Sequence, residues 1–586
     1  MAEHKPIVFS GAHEMPELVV SVSTMLWNKT GSWRYLRPRY EDHVPPCNEG
    51  CPAGNDIEGF IRLIDEGRPA DAWRLLKEEN PIPAVTGRVC FHPCERACNR
   101  GKYDQAVSIQ ALERFAADNA PAGELPAKLR AASGKKVAVI GAGPAGLTAA
   151  YHLVRLGHDV TIFDALPKAG GLLRIGIPAY RLPDDILDRE VAAIERLGVK
   201  FKLGAKVGQD LAFDELLKFN AVFLATGVHV SRPMEIPGED AEGVTAGLIL
   251  LASVALGRKV QIGKHVAVIG GGNSAVDAAR VARRLGAEVT IYYRRTRVEM
   301  PAFEDEVNDA EEEGVNLELL TAPTKIIVED DRVAGLELQR MELGEPDASG
   351  RRRPVPIPNS QFIVPCDMVI PAIGEAGDLS FVPDRVKKEW GKIKIDSFGL
   401  TSHPGVFAGG DIASAQQNVA QAIGDGKRAA IAIDRFLQGA GLEDLRERLI
   451  IGERGSVSIA QYLKTGKAHA KNIGQKHVVP FEEINTWHFE TIERDEMPRL
   501  SPAQRLAGFA EINQGFDDQT AGHAAERCFH CGVCTMCDNC YIFCPDVSIL
   551  HKTDGGYGYD IVFDYCKGCG ICVKECPRSA MVLEEE

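Results

Sequence analysis

The sequence predicts a multidomain protein with a helical N-terminal domain, two doubly wound α/β domains and a small cysteine-dense α+β domain at the C-terminus. Three observations carry this. A strand, glycine-rich turn and helix pattern occurs twice, starting near Val137 and near Val266. Five of the sixteen cysteines lie between Cys47 and Cys98, and ten between Cys528 and Cys576. The chain has 586 residues, more than one hydrophobic core usually supports.

The composition, 45% apolar and 25% charged, is that of a globular protein. A net charge of -15 argues against nucleic acid, whose phosphates recruit Lys and Arg. The start, Met1-Ala-Glu-His-Lys-Pro, has no basic segment followed by an apolar one. No apolar run reaches the ~18 residues of a membrane span, and the expected location is cytoplasmic. Tight clustering of cysteines favours metal sites over disulfide staples. Cys366 stands alone and reads as a small core residue. His43 and His92 read as structural.

The helical domain is expected over 1–134. Asp56 to Asn80 reads as one amphipathic stretch, with Ile57, Phe60, Ile61, Ile64, Ala72, Trp73, Leu75 and Leu76 on its apolar side. Residues 441–525 read as a wrapping linker with short helices.

At the C-terminus, Cys534, Cys537, Cys540 and Cys544-Pro545 have the spacing C-x2-C-x2-C-x3-C-P. Cys566, Cys569, Cys572 and Cys576-Pro577 repeat it. This is the bacterial two-cluster ferredoxin pattern, in which the fourth Cys of each run ligates the other cluster. One [4Fe–4S] cluster is therefore assigned to Cys534, Cys537, Cys540 and Cys576, and the other to Cys566, Cys569, Cys572 and Cys544. Four-cysteine zinc is the alternative, and two full copies with both prolines disfavour it. Cys528 and Cys531 extend the first run at the same step, and their role stays open. The ferredoxin-like domain is expected over 526–586.

The segment Val137-Ala-Val-Ile-Gly141-Ala-Gly143-Pro-Ala-Gly146 is a buried strand entering G-x-G-x-x-G. Glycines let the backbone approach a pyrophosphate, and the helix N-terminus offers free N–H groups. Asp164 ends the next strand, where a ribose hydroxyl is usually held. The second turn is Gly270-Gly-Gly272-Asn273-Ser274-Ala275, with Ala in place of the third Gly. Its second strand ends in Tyr293-Arg294-Arg295, so guanidinium groups stand where an acid would. They suit the 2′-phosphate of NADP(H), with NAD(H) the alternative. Both domains are thus Rossmann-like. Neither contains a C-x-x-C pair, which argues against a disulfide reductase.

These pieces resemble the small, NADPH-dependent subunit of bacterial glutamate synthase and its relatives. Those include the large subunit of NADH-dependent ferredoxin:NADP oxidoreductase and the N-terminal half of dihydropyrimidine dehydrogenase. The resemblance covers roughly residues 40 to 437. It rests on Gly87-Arg-Val-Cys90, the two glycine turns, Gly170-Gly-Leu-Leu-Arg-Ile-Gly-Ile-Pro178, Tyr293-Arg-Arg-Thr-Arg-Val-Glu-Met-Pro301 and Gly405-Val-Phe-Ala-Gly-Gly-Asp411. It implies FAD on the first turn and NADP(H) on the second, the NADP domain (233–370) being inserted between the two parts of the FAD domain (135–232 and 371–440). The candidate nucleotide contacts are Gly141, Gly143, Gly146, Asp164, Gly171, Leu172, Arg181, Gly270, Gly272, Asn273, Ser274, Arg294, Arg295, Gly374, Gly410 and Asp411.

The N-terminal cysteines depart from the glutamate synthase pattern, because the additional upstream cysteines of that family are missing here. Five thiols fill one [4Fe–4S] cluster. The expected ligands are Cys51, Cys90 and Cys94, with Glu113 (the place where the family can use Gln or Glu), Cys47 or Cys98 as the fourth. A zinc site or a degraded cluster domain is the alternative. The implied route runs from NADP(H) to FAD, to the N-terminal cluster, to the C-terminal clusters and then to a partner, in either direction, with no catalytic protein acid or base. The partner is expected to be a ferredoxin or the oxidoreductase subunits of a larger complex, such as a 2-oxoacid:ferredoxin oxidoreductase. A free-standing NADP:ferredoxin reductase, a glutamate synthase small subunit and a non-catalytic scaffold are the competing readings.

Overall fold

The computed structural model describes residues 10–14, 29–126, 130–347, 350–442, 445–463, 476–552 and 556–586. The chain forms two compact units. One, the flavoprotein unit, comprises 44–478 and 491–528; the other comprises 1–43, 479–490 and 529–586.

The flavoprotein unit opens with six helices: α1 (Pro46–Glu49), α2 (Ile57–Asp65), α3 (Pro69–Glu79), α4 (Pro83–Val89), α5 (Pro93–Ala97) and α6 (Ile109–Asp118). Asp56 caps α2 by accepting from the Gly59 amide at 3.2 Å. Ile57, Phe60, Ile61 and Ile64 are buried as the periodicity predicts. The Asp56–Asn80 stretch is not one helix, however. Gly67 adopts φ 72° and Pro69 starts α3, so the chain turns between two helices.

Next come β1 (Lys136–Ile140), α7 (Pro144–Arg155), β2 (Asp159–Asp164), β3 (Lys200–Leu203) and β4 (Ala221–Leu224). A second series follows: β5 (His265–Ile269), α8 (Asn273–Arg284), β6 (Glu288–Tyr293), β7 (Asn316–Leu319) and β8 (Met368–Pro371). The chain then returns with β9 (Val406–Ala408) and α9 (Val419–Leu437). The first sheet is parallel, in the order β9-β4-β1-β2-β3. The second is parallel in the order β8-β5-β6-β7. Because β5 to β8 lie between β4 and β9 in sequence, the second fold is nested in the first. Val137, Val139, Val222 and Leu224 are almost fully buried, as expected for parallel strands covered on both faces.

Residues 491–528 run along this unit. Glu511 pairs with Arg88 at 2.8 Å and with Arg114 at 3.0 Å, and Arg505 reaches Asp309 at 3.1 Å. The last helix, α10 (Asp518–Glu526), buries Ala521, Ala524 and Ala525 and packs on α2.

In the other unit, Leu36–Tyr40 pairs antiparallel with Met581–Glu585. A hairpin joins Ile549–His551 to Tyr559–Ile561. The small core consists of Cys540, Ile549, Tyr559, Cys572 and Met581. Leu36–Tyr40 therefore belongs with the C-terminal cysteines, although its sequence position places it next to the helical domain.

Candidate functional site

Residues of both glycine turns line one cleft in the flavoprotein unit. Gly141 has φ 107°, and a Cβ there would lie 2.3 Å from the Ala225 carbonyl oxygen. At Gly146 it would lie 1.9 Å from the Gly141 carbonyl oxygen. Side chains are excluded at both positions, so the turn is a backbone cradle. Gly171, at φ 55°, comes so close that its Cβ would lie 2.9 Å from the Gly143 Cα. Asp164 accepts from the Ala142 amide at 2.6 Å and from the Leu166 amide at 2.7 Å. Burial raises its pKa, and these two amides counter that. Asp411 is pushed up to about 6 by burial, against the pull of Lys392.

Of the expected contacts, Gly141, Gly143, Asp164, Gly171, Leu172, Arg181, Asn273, Ser274, Gly410 and Asp411 line the cleft. Gly146, Gly270, Gly272 and Gly374 do not line it, although Glu375, the neighbour of Gly374, does. Arg181 is committed to Asp277 at 2.7 Å and Glu306 at 3.1 Å. The two arginines after β6 divide. Arg294 is exposed. Arg295 is buried, donating to the Arg352 carbonyl and to Asp347, both at 2.7 Å. The expectation that Arg295 faces a nucleotide is therefore corrected, because its guanidinium is held by a nearby loop.

Val89 and Phe91 also line the cleft; Val89 lies in the Gly87-Arg-Val-Cys90 motif, and no motif announced Phe91. They flank Cys90. Cys51, Cys90, Cys94 and Glu113 surround a small cavity with Asn55, Asn80 and Thr86. One oxygen of Glu113 accepts from Thr86 at 2.7 Å, Asn80 at 3.0 Å and Asn55 at 3.3 Å. Burial pushes Glu113 up to about 7 and raises all three thiols. Three thiols and a carboxyl gathered in an apolar pocket suit a multivalent cationic metal centre, which stabilises their deprotonated forms. Neither Cys47 nor Cys98 lines this cavity.

In the other unit, the thiols whose charge bears on Cys540 are those of Cys534, Cys537 and Cys576, and on Cys572 those of Cys566, Cys569 and Cys544, followed by Cys540. Such groupings could hold the crossed sets expected from the spacing. Backbone amides point at the crossing cysteines: Ser548 donates to the Cys544 sulfur and Ala580 to the Cys576 sulfur, both at 3.3 Å. Cys537 and Cys569 are exposed, whereas Cys540, Cys566 and Cys572 are buried.

Comparison with known proteins agrees with this geometry. Residues 135–426 match the pyridine nucleotide-disulphide oxidoreductase family, 40–124 the dihydropyrimidine dehydrogenase domain II, 4Fe-4S cluster family, and 559–582 the 4Fe-4S binding domain family. The β subunit of NADP(+)-dependent formate dehydrogenase from Moorella thermoacetica is 42% identical over 83% of this chain and 70% of that protein. The glutamate synthase [NADPH] small chain of Escherichia coli is 38% identical over 67% of this chain and 89% of that protein. This chain belongs to the glutamate synthase small-chain-like family of flavin and iron–sulfur oxidoreductases. A further member, the β subunit of NADPH-Fe(3+) oxidoreductase from Geobacter sulfurreducens, is 39% identical over 84% of this chain and 75% of its own. As a member of this family the chain is an NAD(P)H-dependent oxidoreductase with an FAD/NAD(P) region, an N-terminal 4Fe-4S domain and C-terminal ferredoxin-type clusters. The only cysteine between 135 and 426 is Cys366, so the disulphide chemistry in the first family's name has no thiol pair here. No helix among the described residues is long and apolar enough to cross a membrane.

Proposed function

We propose that this chain is the NADP(H)-reactive subunit of a larger oxidoreductase, linking NADP(H) to low-potential iron–sulfur carriers. The observation that carries this is the position of Cys90: the residues on either side of it line the cleft that residues of both glycine turns also line. FAD, when bound, supplies both two-electron and one-electron chemistry, which is what links a hydride carrier to iron–sulfur centres. Gly141, Gly143, Gly146, Asp164, Gly171, Leu172, Gly410 and Asp411 would hold it. Gly270, Gly272, Asn273, Ser274 and Arg294 would hold NADP(H), with Arg294 facing the 2′-phosphate. Cys51, Cys90, Cys94 and Glu113 would hold the N-terminal cluster. The two crossed sets would hold the C-terminal pair, where exposed Cys537 and Cys569 put the clusters near solvent and a partner. Val89, Phe91 and Leu172 give the cleft part of its apolar lining, and no side chain has to move a proton.

The names of the relatives, β subunits of two oxidoreductases, support a multisubunit enzyme over a free-standing reductase. The partner expected from the sequence is a 2-oxoacid:ferredoxin-type subunit, whereas the Moorella relative's name favours a formate-oxidising one. Anaerobic copurification decides between them. The test of the route is Cys569→Ser in the complex. NADPH oxidation by a dye should persist within about twofold, and exchange with the partner should fall to a small fraction, because only the exposed clusters serve the partner. If the variant assembles and still passes electrons at the normal rate, the C-terminal unit is an anchor and the route is wrong.

A further inference from the structure

Residues 498–514, which the sequence places in a wrapping linker, form a closed loop. The Gln514 amide donates to the Pro498 carbonyl at 2.8 Å, and the Leu500 amide to the Ile512 carbonyl at 3.0 Å. Inside the loop, Ser501 and Gln504 form a capping box at the start of a short helix, Pro502–Leu506. A loop closed in this way is a compact unit of its own. It reaches three parts of the flavoprotein unit. Toward the second nucleotide fold, Arg505 pairs with Asp309 at 3.1 Å and Glu312 at 2.8 Å on the helix Glu304–Glu312, and Arg499 also donates to Asp309. The Gly508 carbonyl accepts from Arg284 of α8 at 3.2 Å. Toward the first fold, the Ile512 amide donates to the Tyr180 carbonyl at 3.0 Å, and Phe509 stacks on the Tyr180 ring with 6.4 Å between centroids. Toward the helical domain, the Asn513 carbonyl accepts from Arg114 at 2.8 Å, beside the two ion pairs of Glu511.

Tyr180 is where these contacts meet. It is buried, and it packs with Leu251 and Val281 of the second fold and with Ile512 of the loop. Its hydroxyl donates to Asp277 at 3.2 Å, and Arg181 beside it pairs with the same carboxylate. The guanidinium groups of Arg280 and Arg284 lie over its ring, 4.7 and 4.0 Å from the centre. Asp277, Arg280, Val281 and Arg284 are spaced i, i+3, i+4 and i+7, so one face of α8 grips Tyr180. The loop closes over that grip from outside. The other end of α8 carries Asn273 and Ser274 to the cleft, and Arg88, held by Glu511, lies two residues before Cys90.

We propose that the loop 498–514 is a positioning element: by holding Tyr180 against α8 it sets the second fold's angle to the first, and so the place of the nicotinamide against the flavin when both are bound. This rests on the assignment of FAD and NADP(H) to the two folds. The test is rapid-mixing reduction of the flavin by NADPH in the anaerobic full-length holoprotein, which separates the rate at saturation from the Kd of the nucleotide. Arg505→Ala and Phe509→Ala should each lower the saturated rate about tenfold or more, because a reacting pair misplaced by about 1 Å loses up to about a hundredfold. FAD content and the Kd for NADPH should stay within about twofold. Arg505→Lys, which keeps a cation for Asp309 and Glu312, should recover most of the rate. A saturated rate within about twofold of the unmodified protein in both alanine variants overturns the proposal, and so does a loss confined to Kd. If NADPH fails to reduce the flavin of the unmodified protein, the function proposed above falls, and the inference with it. Should the variants lose FAD, hydrogen exchange in the unmodified protein decides. Peptides of 498–514 should exchange as slowly as those of α8, and exchange at the rate of exposed loops overturns the proposal.

Discussion

The two nucleotide turns share one plan and end differently. In both, the first glycine is left-handed and seals against a carbonyl at the end of a neighbouring strand: Ala225 for Gly141 and Ala372 for Gly270, each 2.3 Å from where a Cβ would lie. Beyond that they diverge. Strand β2 ends in buried Asp164, whose carboxylate fixes two amides of the first turn's surroundings. Strand β6 ends in Tyr293, whose ring closes over Gly271 and whose hydroxyl donates to the Glu299 carbonyl at 2.8 Å. Arg294, next to it, projects into solvent. The backbone of the turn accepts a dinucleotide in general, and a few side chains at the end of the following strand choose which one.

The third turn position offers the sharpest way to break this comparison. It is Gly146 in the first turn and Ala275, fully buried, in the second. Gly146→Ala should abolish FAD binding, because its Cβ would lie 1.9 Å from the Gly141 carbonyl oxygen. Flavin absorbance of the purified variant reads this. A variant that keeps full FAD would show that the first turn tolerates what the second does, and the two plans would be the same.

A smaller effect separates the two arginines. Arg294→Ala should raise the KM for NADPH about tenfold or more and leave that for NADH within about twofold, since a charge-assisted phosphate contact is worth roughly 1.5–3 kcal/mol. Equal changes for both nucleotides would mean that Arg294 does not read the 2′-phosphate. Smallest of all on selectivity is Arg295→Ala. It should leave the NADPH/NADH ratio within about twofold while costing about 1–3 kcal/mol of stability, because the buried contacts of Arg295 with Asp347 and the Arg352 carbonyl are lost. A thermal melt and the kinetic ratio measure the two halves. A selectivity change as large as that of Arg294 would put Arg295 back in the nucleotide site.

The sequence by itself determined whatever is local in the chain. Two C-x2-C-x2-C-x3-C-P runs are legible because three donors of each cluster stand at fixed short offsets, and the ferredoxin pattern itself supplies the expectation that the fourth is exchanged between the runs. The glycine turns and Asp164 are legible for the same reason, as strand, turn and helix follow one another within about thirty residues. The alternatives left open at the N-terminus, Glu113, Cys47 or Cys98, involve residues tens of positions from Cys51, and no offset ranks them. Only the packing of α4 against α6 brings Glu113 to the cavity, where three neutral donors hold one of its oxygens. Tertiary structure likewise decided that Val89 and Phe91 line the cleft and that Arg295 is buried while Arg294 is exposed. Each of these depends on contacts between distant stretches of chain, set by the burial of whole helices and by ion pairs such as that of Arg295 with Asp347, and periodicity and spacing in a sequence carry no record of such contacts.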